Sequence, residues 1–477
     1  MKNKTATNYS SDIKFTNDQQ DVFEKIINQL EDILAIDMAW DNILALSGAA
    51  GTGKTFLITQ LIKYLNDKYN ITVTAPTHKA LKVIRDNFKE NDIDDIELKT
   101  IHSFLNIKLF TDYTKGVQSF RPDKTKIDKS KTDILIIDES SMVSNELYEY
   151  IEDTIIQERV KAILFVGDYY QLLPVDNSEN KIFNIRHQYK LSKIVRQAQD
   201  SYIINVASKA RNMIKSQKYT ELYSFFSQNS DLEIEFFNNE EDFYSDFYKN
   251  KYWENEDKII TSFTNNNVDK HNAIIRDKYW SEKGQNNIKP FMVGDKLILQ
   301  STLTIKNIPV YYNGDEVIIA HVQKEYFKPL NIWYWKCKDR SQVEFQVIDP
   351  SSYTKYNEEL NRIAKAAKAA KYPARQELWK IFFDIKDLFI EVKYPYASTI
   401  HKLQGSTYKT VYIDLLYMFT NTTLSFNEIY RLIYVAITRA SDDIKILMPA
   451  INQDKIKIIE DNFNSMIELG LMESLVK

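Results

Sequence analysis

The chain has 477 residues, too many for one ordinary domain, and a net charge of −4 that excludes indiscriminate nucleic-acid binding by a basic body. A single cysteine, Cys337, excludes an intramolecular disulfide and a multi-cysteine zinc cluster, and it fits a reducing, cytoplasmic setting. Met1 to Thr16 is polar and lacks the apolar core of a signal peptide, and no stretch reaches the ~18 uninterrupted apolar residues of a membrane span, so no membrane partner is expected.

Along the chain, Ile43 to Leu46, Ile71 to Thr74, Ile134 to Ile137 and Ala162 to Val166 read as buried strands, each followed by a polar loop and mostly by an amphipathic segment. That rhythm predicts an α/β fold, a parallel sheet flanked by helices, with ligands at the carboxyl ends of the strands. Phe104 to Lys131 interrupts it. Here Lys108, Lys115, Arg121, Lys124, Lys126, Lys129 and Lys131 outnumber Asp112, Asp123 and Asp128, and Phe110, Tyr113 and Phe120 are interspersed. Lys115-Gly116 suggests a hairpin turn; the segment is either a small element touching nucleic acid or a solvated excursion. A second alternating region starts near Leu191, with an acidic, aromatic stretch at Asp231 to Asp257 that reads as a solvated loop and a strand at Ile259 to Ser262. Val293 to Ile348 is β-like, with turn signals at Gly294-Asp295 and Asn313-Gly314, and suggests a small barrel. Tyr353 to Phe389 is strongly helical, and Val392 to Thr399 and Val411 to Leu415 restore the strand pattern.

Gly48-Ala49-Ala50-Gly51-Thr52-Gly53-Lys54-Thr55 satisfies the G-x-x-x-x-G-K-[ST] phosphate-loop pattern between a strand and the helical segment Phe56 to Leu65. In a chain with only ten glycines, Gly48, Gly51 and Gly53 are there because the backbone must curl. The loop's N–H groups would wrap the phosphates, Lys54 would reach the β/γ oxygens, and Thr55 would coordinate Mg²⁺. The strand Ile134 to Ile137 ends in Asp138-Glu139, carboxylates placed to hold Mg²⁺ and to polarise the attacking water. A third strand end supplies Gly167-Asp168-Tyr169-Tyr170-Gln171, whose amide could orient that water. Arg196 and Arg439 are candidates for neutralising transition-state charge, although by spacing alone either is an ordinary surface arginine.

Gln19, the phosphate loop, Ala75-Pro-Thr77-His78-Lys-Ala80, Thr100-Ile-His102-Ser-Phe104, Asp138-Glu-Ser-Ser-Met142, Gly167-Asp-Tyr-Tyr-Gln171, Arg196, Tyr396-Ala-Ser-Thr399-Ile-His401-Lys-Leu-Gln-Gly-Ser-Thr407 and Val435-Ala-Ile-Thr-Arg439 resemble, in this order, the motifs of superfamily 1 helicases. The 5′→3′ branch that contains the RecD and phage Dda proteins is the nearest, the Dda type foremost. The resemblance implies two RecA-like P-loop NTPase domains, residues 1–103 with 132–190 and 191–292 with 390–477, a β-hairpin pin at 104–131, and a small β-barrel with a helical extension at 293–389. It also implies that Gln19 contacts the adenine of ATP. Lys54, Thr55, Asp138 and Glu139 would form the phosphate and metal site, and Gln171, Arg196 and Arg439 would sense the γ-phosphate. Thr77, His78, Thr100, His102, Thr399 and His401 would line a single-strand track by gripping phosphates without reading sequence. Phe120 would be the working aromatic of the pin, with Phe110 or Tyr113 as substitutes.

The function expected is an ATP-dependent 5′→3′ DNA helicase of replication, recombination or repair, cytoplasmic, with the resemblance to Dda pointing to a phage or plasmid source. Single-stranded and fork DNA are the expected partners, with single-strand-binding or replication proteins beside them, and a monomer suffices. The alternatives are a translocase that displaces bound proteins, an RNA helicase, and a nucleotide-gated DNA-binding module. Leu173 departs from the pattern, since many relatives carry a second proline before Pro174.

Overall fold

The computed structural model describes residues 13–35, 41–123, 132–172, 181–195, 201–220, 222–227, 234–305, 308–420 and 424–449. The chain divides into two compact units, one comprising Met1–Asn106, Lys124–Thr264 and Thr399–Lys477, the other Ile107–Asp123 and Asn265–Ser398.

In the first unit a six-stranded parallel sheet runs in the order Glu97–Thr100, Ile71–Ala75, Thr132–Ile137, Val160–Gly167, Ile43–Gly48, His187–Leu191. The four central strands are buried on both faces because helices cover both, so they are mostly apolar, and the buried hydroxyls of Thr72 and Thr74 are satisfied by Thr132 and by Ile136 O. The two edge strands do not read so. Glu97–Thr100 and His187–Leu191 keep charged or polar side chains at their exposed positions, and no apolar run announces them. The helix Asn17–Ala35 buries Val22, Phe23, Ile26, Ile27, Leu30 and Ile33 at helical spacing against Leu44 and Leu46. Its start is fixed by reciprocal bonds, Gln19 N to Thr16 Oγ1 and Thr16 N to Gln19 Oε1, a capping box that satisfies two otherwise orphaned donors.

A second sheet in the same unit sets Lys258–Ser262, Tyr408–Asp414, Ala440–Leu447 and Glu235–Phe237 side by side, all parallel. The helices Tyr202–Ser216 and Phe426–Ile437 pack in its core through Val206, Ala210, Tyr430, Ile433 and Ile437. Ser425 and Glu428 make a full capping box at the start of Phe426–Ile437. The acidic, aromatic stretch is not a solvated loop where it is described. Glu240–Phe247 is a helix whose Phe243 and Phe247 are buried against Tyr412, while the carboxylates of its first turn face solvent near the helix N-terminus.

The second unit is built on an antiparallel sheet ordered Glu344–Ile348, Ile332–Asp339, Glu316–Phe327, Lys296–Leu299, Val392–Lys393. Leu297, Leu299, Val317, Ile319, Trp335, Cys337 and Val347 fill its interior. Val392 to Thr399, expected as one strand, is two short ones, Val392–Lys393 and Ala397–Thr399. The helical stretch is likewise two helices, Tyr353–Ala369 and Ala374–Leu388; Ala370 turns extended and closes the first, and Pro373, which brings no N–H to a helix, stands just before the second. The hairpin Ile107–Asp112 and Val117–Pro122 belongs to this unit by its contacts. Its turn is tied by Asp112, which accepts from Thr114 N at 2.9 Å and Lys115 N at 3.2 Å, and by Gly116 at φ +69°.

Candidate nucleotide and single-strand site

Strand order determines which residues meet. Val160–Gly167 lies between the strand of the phosphate loop and the strand of the acidic pair, so Gly48, Asp168 and Asp138 emerge at neighbouring carboxyl ends. Gly51 and Gly53 take φ of +76° and +82°, left-handed values that turn the loop and that only glycine adopts without strain. Lys54 then opens the helix Lys54–Leu65, and its ammonium donates to Gly48 O at 2.8 Å and Ala49 O at 3.1 Å. Gln19 is buried, and its Nε2 donates to Thr52 O at 3.1 Å, so the residue expected at adenine buttresses the phosphate loop. The segment after His187–Leu191 closes on the same loop, with Ser192 and Lys193 N–H groups on Asp18 and Val195 N on Gly51 O. It leads to Arg196, which lies outside the described residues, as do Leu173 and Pro174.

Thr55 and Asp138 line one small cavity. Burial and the neighbouring Glu139 push the Asp138 carboxyl well above its ordinary range, against the pull of Lys54. A divalent cation would reverse that balance, so the donor set fits Mg²⁺. Glu139 adopts φ +52°, a left-handed conformation that costs a non-glycine residue about 1–3 kcal/mol and is found where surrounding structure holds a group in place. Gln171 is buried with Oε1 lacking a hydrogen-bond partner, an acceptor suited to a polar ligand.

The second sheet reaches this site through its helices and loops. On the helix Phe426–Ile437, Arg431 Nη1 donates to Tyr169 O at 2.9 Å and to Gln171 O, and Tyr434 Oη donates to Asp168 while accepting from Ala50 N at 3.3 Å. Gly405 comes so near the first sheet that a Cβ on it would lie 3.2 Å from Ala80 Cβ and 4.0 Å from Glu139 Cγ. Arg439 is buried and donates to Val435 O, Ser406 O and Thr438 Oγ1, so its guanidinium braces its own helix end and the Gly405 loop. Neither Tyr434 nor Arg431 was singled out from the sequence. The available signal was their spacing of three on a helix immediately before Arg439, which places both on one face.

The single-strand candidates cluster in part. Ala75 pairs with Thr100, so Thr77-His78 and Thr100-His102 follow adjacent strand ends. Both hydroxyls serve as helix caps, Thr77 accepting from Ala80 N and Thr100 from Ser103 N at 3.1 Å each. Thr399 is buried; His102 and His401 are exposed. In the other unit Phe120 is 60% exposed on the hairpin, whereas Phe110 lies under Arg121 at 4.4 Å and Tyr113 packs with Trp379 and Phe383.

Paired α/β sheets, a phosphate loop on the first and helix side chains from the second reaching that loop define a P-loop nucleoside triphosphatase with RecA-like domains. Residues 32–177 match the AAA domain family and residues 394–444 the UvrD-like helicase C-terminal domain. An uncharacterized protein of Acanthamoeba polyphaga mimivirus is 26% identical across 84% of this chain and 94% of its own length. The ATP-dependent DNA helicase Dda of Enterobacteria phage T4 is 26% identical over 84% of this chain and 93% of its own, and the ATP-dependent DNA helicase Pif1 of Campylobacter jejuni 25% over 87% and 90%. A Bacteroides Pif1 helicase solved in complex with ADP-AlF3 and ssDNA aligns over 95% of this chain and 98% of its own at 18% identity and a TM-score of 0.49. The chain is thus similar over most of its length to the Dda and Pif1 helicases, and its two matched segments are an AAA domain and a UvrD-like helicase C-terminal domain.

Proposed function

We propose that this chain is an ATP-dependent DNA helicase that moves 5′→3′ on single-stranded DNA and parts the duplex at a hairpin pin. The observation that carries the reading is the convergence of Lys54, Asp138 and Gln171 at adjacent strand ends with a helix of the second sheet held against the same loop by Tyr434 and Arg431. A site made from both sheets can turn nucleotide chemistry into relative movement of those sheets. Lys54 and the loop N–H groups hold the phosphates, Thr55 and Asp138 hold Mg²⁺, and Glu139 polarises the attacking water. When bound there, Mg²⁺ would neutralise negative charge on the phosphates. Gln171, Arg196 and Arg439 respond to the γ-phosphate, Gln19 sets the adenine side of the loop, and Thr77, His78, Thr100, His102, Thr399 and His401 contact the strand.

Domain roles follow the same reading: residues 1–103 with 132–190 and residues 191–292 with 390–477 act as the two motor halves, 104–131 as the pin and 293–389 as its support. Single-stranded and forked DNA are the substrates. No helix among the described residues is long and apolar enough to cross a membrane. One chain carries both sheets, so a monomer completes the site. The test is ATP-dependent unwinding of duplexes with a single 5′ or a single 3′ tail, with ATPase recorded in parallel and Glu139→Gln as control. Unwinding from the 5′ tail alone, lost in the variant, is expected. Preference for the 3′ tail overturns the direction, and strong ATPase without unwinding favours a translocase.

A further inference from the structure

Tyr434 is 1% exposed, and its hydroxyl joins the two sheets at a single atom. It donates to Asp168 Oδ2 on the loop that carries Gln171 and accepts from Ala50 N of the phosphate loop at 3.3 Å. Burial, and then the Asp168 charge, raise its phenol well above the ordinary tyrosine value, so the proton stays and the oxygen can do both. Arg431, one turn earlier, donates to the carbonyls of Tyr169 and Gln171, and Arg211 stacks over Tyr170 at 4.5 Å with its Nε 3.9 Å from Asp168. The loop Asp168 to Gln171 is thereby fastened to the second sheet's helices by polar contacts at its backbone and at its one buried carboxylate.

We propose that Tyr434 is a positioning residue that relays occupancy of the terminal phosphate position from the phosphate loop to the Asp168 loop and the helix Phe426–Ile437; this rests on the nucleotide site proposed above. Ala50 lies in the loop between the strand Ile43–Gly48 and the helix that Lys54 opens, where a β-phosphate is held, and its N–H meets the same hydroxyl that bonds Asp168. A triphosphate offers the Ala50 N–H an anionic acceptor that a diphosphate lacks. The N–H can serve that oxygen or the Tyr434 hydroxyl. When the phosphate takes it, the hydroxyl keeps only Asp168, and the helix is released from one sheet loop while still fastened to the other.

The sign of the consequence is unusual for a buried residue. Removing the hydroxyl removes a competitor, so Tyr434→Phe should bind a non-hydrolysable ATP analogue roughly fivefold more tightly, the equilibrium weight of one net hydrogen bond, with ADP affinity unchanged. It should also lower single-strand-stimulated kcat about tenfold, because the bond to the buried Asp168 charge is lost as well. A purely structural role would weaken both nucleotides together. Asp168→Asn keeps an acceptor of the same shape without its charge and should show the same pattern at smaller amplitude, which covers a Phe variant that fails to fold.

The experiment measures analogue and ADP affinity, KM and kcat with and without single-stranded DNA in the full chain, its Tyr434→Phe and Asp168→Asn variants, and Lys54→Ala. Tighter analogue binding with unchanged ADP and reduced stimulated kcat supports the relay. Equal loss of both nucleotides, or no change in either affinity or kcat, overturns it while leaving the nucleotide site standing. Full turnover in Lys54→Ala overturns the site and the relay together.

Discussion

The turn of the hairpin rests on Trp379 so closely that a Cβ on Gly116 would lie 2.0 Å from the indole Cε2. Trp379 belongs to a small cluster with Ala367, Phe383 and the hairpin's own Tyr113, and Lys386 reaches Gln118 across the same contact at 3.4 Å. The hairpin is therefore a supported element. Gly116→Ala adds both a steric clash and the roughly 1–2 kcal/mol that a left-handed conformation costs a residue with a Cβ. Trp379→Ala empties the socket, a change that typically costs about 3–5 kcal/mol for a buried aromatic. Both variants should lower the rate of strand separation about tenfold or more with single-strand-stimulated ATPase retained. Rates from a forked duplex and from ATP turnover, measured on the same preparations, decide it, and a parallel fall of the two would contradict a support role.

Phe120 is the exposed aromatic of that hairpin, and stacking on a base is worth about 1–3 kcal/mol without regard to sequence. Phe120→Ala should cut unwinding by about tenfold, and Phe120→Trp should restore it. Phe110→Ala should matter less, since Phe110 is engaged by Arg121, and Tyr113→Ala should resemble Trp379→Ala because Tyr113 is part of the socket. Identical unwinding by Phe120→Ala and the unaltered protein would remove Phe120 from the fork.

What the sequence made legible follows physical lines. The central strands were readable because strands buried on both faces are dominated by apolar residues, and the phosphate loop because its glycines and lysine are required by the turn and the charge. Glu97–Thr100 and His187–Leu191 were not, being edge strands half open to water. Glu240–Phe247 looked like a solvated loop because its acidic residues dominate the composition, whereas the aromatic spacing carries the packing. Tyr434 and Trp379 were hidden for another reason. Each matters through a partner far away in the chain, Ala50 and Gly116, and no local pattern encodes such a contact.

In the second unit Arg276 and Asp295 form a buried pair, with guanidinium to carboxylate distances of 2.9 and 2.7 Å; Trp280 Nε1 and Met292 N complete the carboxylate's bonds. Removing one partner leaves the other charge buried and unsatisfied, which costs about 3–5 kcal/mol. Asp295→Ala should therefore lower the melting temperature markedly. The exposed pair Lys25 and Asp21, each side chain 59% accessible, is the contrast: Asp21→Ala should shift stability by less than about 1 kcal/mol. Thermal denaturation of both variants tests the ranking, and equal shifts would refute it.

Cys337 lies in the core of the same sheet, fully buried, and its thiol is pushed up to about 12 first by burial and then by the Asp295 carboxylate. At pH 8 only about one native thiol in ten thousand is then ionised, against a substantial fraction in an unfolded chain with a pKa near 8.5. Iodoacetamide should leave the native protein unlabelled and modify it readily in denaturant, and, because the chain has one cysteine, mass spectrometry reports this unit alone. The folded group keeps its proton where the unfolded one loses it, so its stabilising contribution is fully present below pH ~8.5 and is lost as pH rises from there toward 12. Asp295→Ala, by loosening the surroundings of Cys337, should speed labelling in native buffer, as local opening exposes the thiol. Labelling of the unaltered protein at the unfolded rate would show that Cys337 is not held in a closed core.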